Sequence, residues 1–164
     1  MGGPSLGDER ATLLEYLRFQ RLTLQVKCDG LDAEQLARRS VAPSTMSLLG
    51  LVRHMAHVER VWFRIRFAGQ DVPRLYQTAE SPDEDFDGAI GDQAVVDEAW
   101  ARWHEEMAFA DEFISGHELD FVGADSDGNP VSLRELIVHM IEEYARHNGH
   151  ADLLRECIDG RVGQ

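Results

Sequence analysis

Basic residues are scarce in this chain. There are 16 lysines and arginines against 30 aspartates and glutamates, a formal net charge of −14. Eight acidic and no basic residues fall between Glu80 and Glu98. This balance argues against nucleic acid as a partner, because binding the phosphate backbone needs a positive footprint. Cysteine is nearly absent: Cys28 and Cys157 are too few for a disulfide framework and suit a cytoplasmic protein with reduced thiols. Long apolar runs are missing, so no segment is expected to cross a membrane. The N-terminal stretch MGGPSLGDER lacks a basic start followed by an apolar run and does not read as a signal peptide. Leu6 stands where a myristoylation site wants Ser or Thr. Residues 1–7 are expected to be a frayed tail on a single domain spanning 1–164. There is no internal repeat and no heptad run long enough for a coiled coil.

What is present is helical periodicity. Apolar residues make up 43% of the chain, enough for a real core. Residues 8–28 carry Leu13, Leu14, Leu17, Leu24 and Cys28 on one face and stop at Asp29-Gly30. Arg21 interrupts that face; it reads as a solvated helix residue or, less simply, as a ligand or ion-pair group. A second helix is expected over 46–68, capped by Ser44 or Ser47, with Leu48, Leu51, Met55, Val58 and Trp62 as its stripe. Residues 70–91 form an acidic linker, long enough to imply a function or a crossover. A third helix covers 92–115, and 119–131 reads as a small hairpin or loop. Four such helices predict an all-α four-helix bundle with a long crossover connection.

The last helix, over 132–157, carries the candidate chemistry. Ser132-x-x-Glu135 fits a capping box, with Pro130 and the Asp127-Gly128-Asn129 turn just before it. Leu133, Leu136, Met140, Tyr144, Ala151 and Leu154 mark its apolar stripe. At about 100° per residue, His147 falls inside that stripe and Glu143 on the same side one turn earlier. His150 lies at the stripe's edge and His139 beyond it. A buried carboxylate and imidazole cost several kcal/mol unless a metal or a fixed partner satisfies them. On the second helix, His54 sits on the flank of the stripe and can look into the bundle, whereas His57 points away. Glu143 and His147 are therefore the candidate metal ligands, with His54 as the third if the second and last helices are neighbours. A His₂Glu set with open positions suits Zn²⁺, Ni²⁺ or Fe²⁺. The spacing is not the Glu-x-x-His of di-iron bundles and a second motif is absent, so one ion is expected rather than two. The plainer alternative is that Glu143 and His147 form an ordinary i,i+4 hydrogen-bonded pair. His57, His104 and His117 read as surface residues, Trp62, Trp100 and Trp103 as core, and both cysteines as buried small hydrophobes.

LLGLVRHMAHVERVWF at 48–63, EEYARHNGHADLLRECIDG at 142–160, and the run from Gly30 through the start of the second helix resemble the mini-circle protein family. That family is a branch of the DinB-like superfamily of helical bundles. The resemblance implies a bundle of unusual connection order with an interior metal site. It also implies one ligand from the second helix and two, four residues apart, from the last. These fall on His54, Glu143 and His147. Many members carry His where Glu143 stands, so the chain resembles in this respect the mycothiol-dependent maleylpyruvate isomerase type. The superfamily's mycothiol and bacillithiol S-transferases suggest a thiol cofactor activated at the metal and a small-molecule electrophile, with His150 or a bound water to move the proton. Arg18, Arg21 or Arg60 would hold anionic substrate groups. A homodimer is expected. Other uses of the same site are hydrolysis by metal-activated water, or metal binding without turnover in a stress protein.

Overall fold

The computed structural model describes residues 6–163; the first five residues of the expected tail lie outside the described residues. Helix α1 spans Glu9–Cys28, with Asp8 accepting the Ala11 N–H at its start. A short helix α2, Ala33–Ala37, carries a full capping box between Asp32 and Gln35. Helix α3, Leu48–Glu59, is capped by Ser47 and runs without a break into a π-helical segment, Arg60–Phe67. After the short α4, Glu84–Asp87, come α5, Gln93–Ser115, and α6, Leu133–Asp159. Ser132 caps α6 through the Glu135 N–H, and Gly160 closes it at φ +78°, a conformation natural to glycine. Strands β1, Val122–Ala124, and β2, Pro130–Ser132, pair antiparallel around the expected turn, where Asp125 accepts the Asp127 and Asn129 N–H groups.

Pairings between helices fix their directions. Arg134 reaches Glu9, Asn148 reaches Gln20 and Arg155 reaches the Lys27 and Asp29 carbonyls, so α1 and α6 run parallel. Arg60 meets Glu106 while Phe67 packs on Phe113, so α3 and α5 also run parallel. Across the two pairs the sense reverses: Trp62 meets His139 where His54 meets His147. The order is thus up, down, down, up, an all-α bundle of the unusual connection order that the resemblance implied. Two consecutive parallel helices require the chain to travel back between them. Arg60 binds the Pro73 carbonyl, Arg53 lies under the Tyr76 ring, His54 binds Asp85, and Phe86 abuts Gly50, so the 70–91 linker retraces α3 from end to start.

The core is Leu17, Leu24, Leu48, Leu51, Met55, Phe63, Trp103, Ile114, Leu136, Met140 and Tyr144, each at or near zero exposure. Three expectations are corrected here. First, the α-helical period fails at Arg60. The Ala68 N–H bonds the Phe63 carbonyl, five residues back. In a π-helix each residue advances by less than the α-helical 100°. The core position therefore slips from Trp62 to Phe63, which is fully buried while Trp62 is half-buried. Trp100 is also half-buried. Second, His57 is buried, because the returning linker covers the face that an isolated helix would expose. His117 is half-buried and stacks on Phe113, with ring centroids 4.1 Å apart. His104 is exposed as expected. Third, Cys157 is exposed; Cys28 is buried.

Arg21 is the other surprise of the core. It is buried and holds Glu59, itself fully buried, through Nε and Nη2 at 2.9 and 3.0 Å. The Trp103 Nε1–H donates to the Tyr144 hydroxyl, which donates to Glu59 Oε1, both at 2.8 Å. Burial pushes the Glu59 carboxyl up, against the pull of Arg21 and Tyr144. One chain of polar contacts thereby ties α1, α3, α5 and α6 together.

Candidate metal centre

His54, Glu143 and His147 converge. One ligand atom from each lies within 4.8 Å of the others. Helix α3 brings His54 and helix α6 brings the pair, and their antiparallel crossing sets the two imidazoles edge to face at 4.7 Å between centroids. An ion holding ligands tetrahedrally at about 2.0–2.1 Å keeps them about 3.3 Å apart. The His147 Nε2 to Glu143 Oε2 separation of 3.6 Å is close to that spacing. It is also too long for a hydrogen bond, so the ordinary helix-pair alternative does not describe this contact. The donors are half-buried: side-chain exposure is 20% for His54, 22% for Glu143 and 12% for His147.

Electrostatics keep His147 available as a lone-pair donor. Burial first, then the neighbouring His54 and His150, pushes its pKa down to about 4. At neutral pH it is an uncharged imidazole, the form that ligates metals. This donor set, neutral imidazole plus carboxylate, fits a single divalent ion.

His150 does not join the three. Its Nδ1 faces the His147 Nδ1 at 3.5 Å, and its ring lines an apolar groove of about 170 Å³ with Val41, Ser44, Met46, Leu153 and Leu154. His139 stands on the other side, 3.8 Å from Glu143 and packed on Trp62. The three arginines expected for anionic groups are all engaged elsewhere. Arg18 pairs with Glu15, Arg21 with Glu59 and Asp111, and Arg60 with Glu106 and the Pro73 carbonyl.

The residue that sequence reasoning missed is Asp85. The linker carries it to α3, where Asp85 Oδ2 lies 2.8 Å from His54 Nδ1, at hydrogen-bond distance. Asp85 is only 1% exposed. Burial alone would raise its pKa, but the bond and charge of His54, with the Phe86 N–H and Gln77, hold it below the usual carboxylate value. One acidic residue among eight in that stretch carries no periodicity to single it out; only the path of the chain does.

An up-down-down-up bundle with two histidines and a glutamate meeting between α3 and α6 belongs to the DinB-like class. The mycothiol-S-transferase family matches residues 12–160, and the chain belongs to that family. No curated protein and no solved structure matches it.

Proposed function

We propose that this protein is a metal-dependent transferase of a low-molecular-weight thiol, with mycothiol as the first candidate and bacillithiol as the second. His54, Glu143 and His147 hold one divalent ion, zinc, nickel or iron. The single observation behind this reading is their convergence, with one ligand atom of each within 4.8 Å of the others. A metal in this site supplies Lewis acidity, which lowers the pKa of a thiol and makes its thiolate available at neutral pH. His54, Glu143 and His147 would hold that ion as its protein ligands. His150 receives or returns the proton at its imidazole nitrogen, from beside His147. The apolar groove under His150 takes the hydrocarbon part of a small electrophile.

No helix of the described residues is long and apolar enough to cross a membrane, which agrees with the cytoplasmic location we propose. Helix α1 shows Tyr16, Leu22 and Val26 on its outer face, and we propose that a second copy of the chain covers them in a homodimer.

The test begins with metal analysis of protein purified without a histidine tag. One divalent ion per chain is expected, lost in the combined change of His54, Glu143 and His147 to Ala. Mycothiol and a bimane or halonitroarene electrophile are then offered to the loaded protein. Turnover that His150→Ala lowers about 10²- to 10⁴-fold supports the proton role. Metal-loaded protein with no rate above background, for either thiol, overturns the transferase reading.

A further inference from the structure

The 70–91 linker does more than return the chain. Arg53 grips it, its Nε and Nη2 donating to the Asp85 and Glu84 carbonyls at 2.9 and 2.8 Å. The His54 ring stacks on Phe86 at 5.3 Å between centroids. Gly88 lets the Arg53 guanidinium in, since a Cβ there would stand 2.6 Å from Nη2. All of this fixes one carboxylate against one imidazole nitrogen. Asp85 Oδ1 accepts the Phe86 N–H at 3.1 Å, and Oδ2 accepts His54 Nδ1 and, more weakly, Gln77 Nε2 at 3.3 Å.

An ionised carboxylate has no proton to donate, so the hydrogen between Asp85 and His54 resides on Nδ1. That leaves the His54 lone pair on Nε2. We propose that Asp85 is the positioning residue of the metal centre: it fixes the Nδ1–H tautomer of His54 and turns Nε2 toward the point shared with Glu143 and His147. The inference rests on the metal reading above for its purpose, but the tautomer stands by itself. An imidazole ligand commonly donates its second N–H to a carboxylate, which orients the ring and raises its basicity. Here the carboxylate comes from a different element than the ligand, so the acidic linker becomes part of the site.

The experiment has two readouts on the full chain. Long-range ¹⁵N-resolved NMR of the metal-free wild type reports the His54 tautomer directly. Competition of the protein against a chromophoric chelator reports Zn²⁺ affinity. His54 is expected as the Nδ1–H form in wild type and as a mixture or the Nε2–H form in Asp85→Ala. Zn²⁺ binding is expected to weaken about 10- to 100-fold in that variant. Asp85→Asn, whose amide oxygen can still accept the Nδ1–H, is expected to keep the tautomer and lose less affinity. An Nε2–H tautomer in wild type, or an Asp85→Ala protein with unchanged tautomer and affinity, overturns the proposal. Should Asp85→Ala fail to fold, the wild-type tautomer and Asp85→Asn still decide it. Should wild type bind no zinc, the metal reading falls, and the metal-free tautomer alone decides the role of Asp85.

Discussion

At the scale of single residues, the costly groups are polar ones placed inside. Tyr144 relays between the Trp103 N–H and Glu59, with no exposure of its own. Tyr144→Phe leaves both neighbours short of a partner. A buried group stripped of its hydrogen bond costs roughly 1–3 kcal/mol. Urea unfolding of the variant is expected to show a loss of that size. His57 provides a pH effect. Its Nδ1 is buried with no partner in the described residues. Burial first, with the His54 and Arg74 charges, lowers its pKa below the ordinary 6.5, although the Leu75 backbone and Asp85 pull the other way. As pH falls below 6.5, the unfolded chain takes up a proton that the folded one resists, so stability falls with it. Metal-free protein is expected to lose stability from pH 6.5 downward, and His57→Gln to flatten that slope in denaturant titrations. The sequence pointed to His54, Glu143 and His147 because a helical period relates residues on one helix and names which flank faces inward. It placed His57 on the surface because it could not know what would cover α3.

At the scale of elements, the linker and the π-helical segment are where pattern and structure part. The linker is acidic and aperiodic, so nothing local distinguishes Asp85 from its neighbours; its meaning comes from lying against α3. That contact depends on glycine at position 50, where a Cβ would stand 2.7 Å from the Phe86 Cδ1. Gly50→Val therefore pushes Phe86, and with it Asp85, away from His54. A loss of about 1–3 kcal/mol is expected from overpacking, with weaker Zn²⁺ binding in the same chelator titration. An intact affinity would show that the linker sits on α3 without serving the site. The π-helical turn escapes sequence reading because apolar spacing through Trp62 suits an α-helix equally well. Only the backbone hydrogen bonds, such as that from the Ala68 N–H to the Phe63 carbonyl five residues back, reveal that the helix has widened.

At the scale of the whole molecule, burial sorts two chemically identical thiols. Burial pushes the Cys28 thiol up to about 12, with Arg155 opposing it, whereas Cys157 is exposed. A thiolate is the reactive form, so an aromatic disulfide reagent at mild alkaline pH is expected to titrate one thiol in native protein and the second only after unfolding. Native release of both would mean that the α1 end opens readily. The amino-acid order by itself determined four amphipathic helices, the cap at Ser132, the turn before β2, and which histidine and carboxylate of each helix face inward, because each follows from spacing within one segment. Tertiary structure alone decided that α3 and α5 run the same way, that the linker must return along α3, and that Asp85 meets His54 there. Those facts depend on which surfaces exclude water together, and residues distant in the chain reveal such pairings only once the helices have packed.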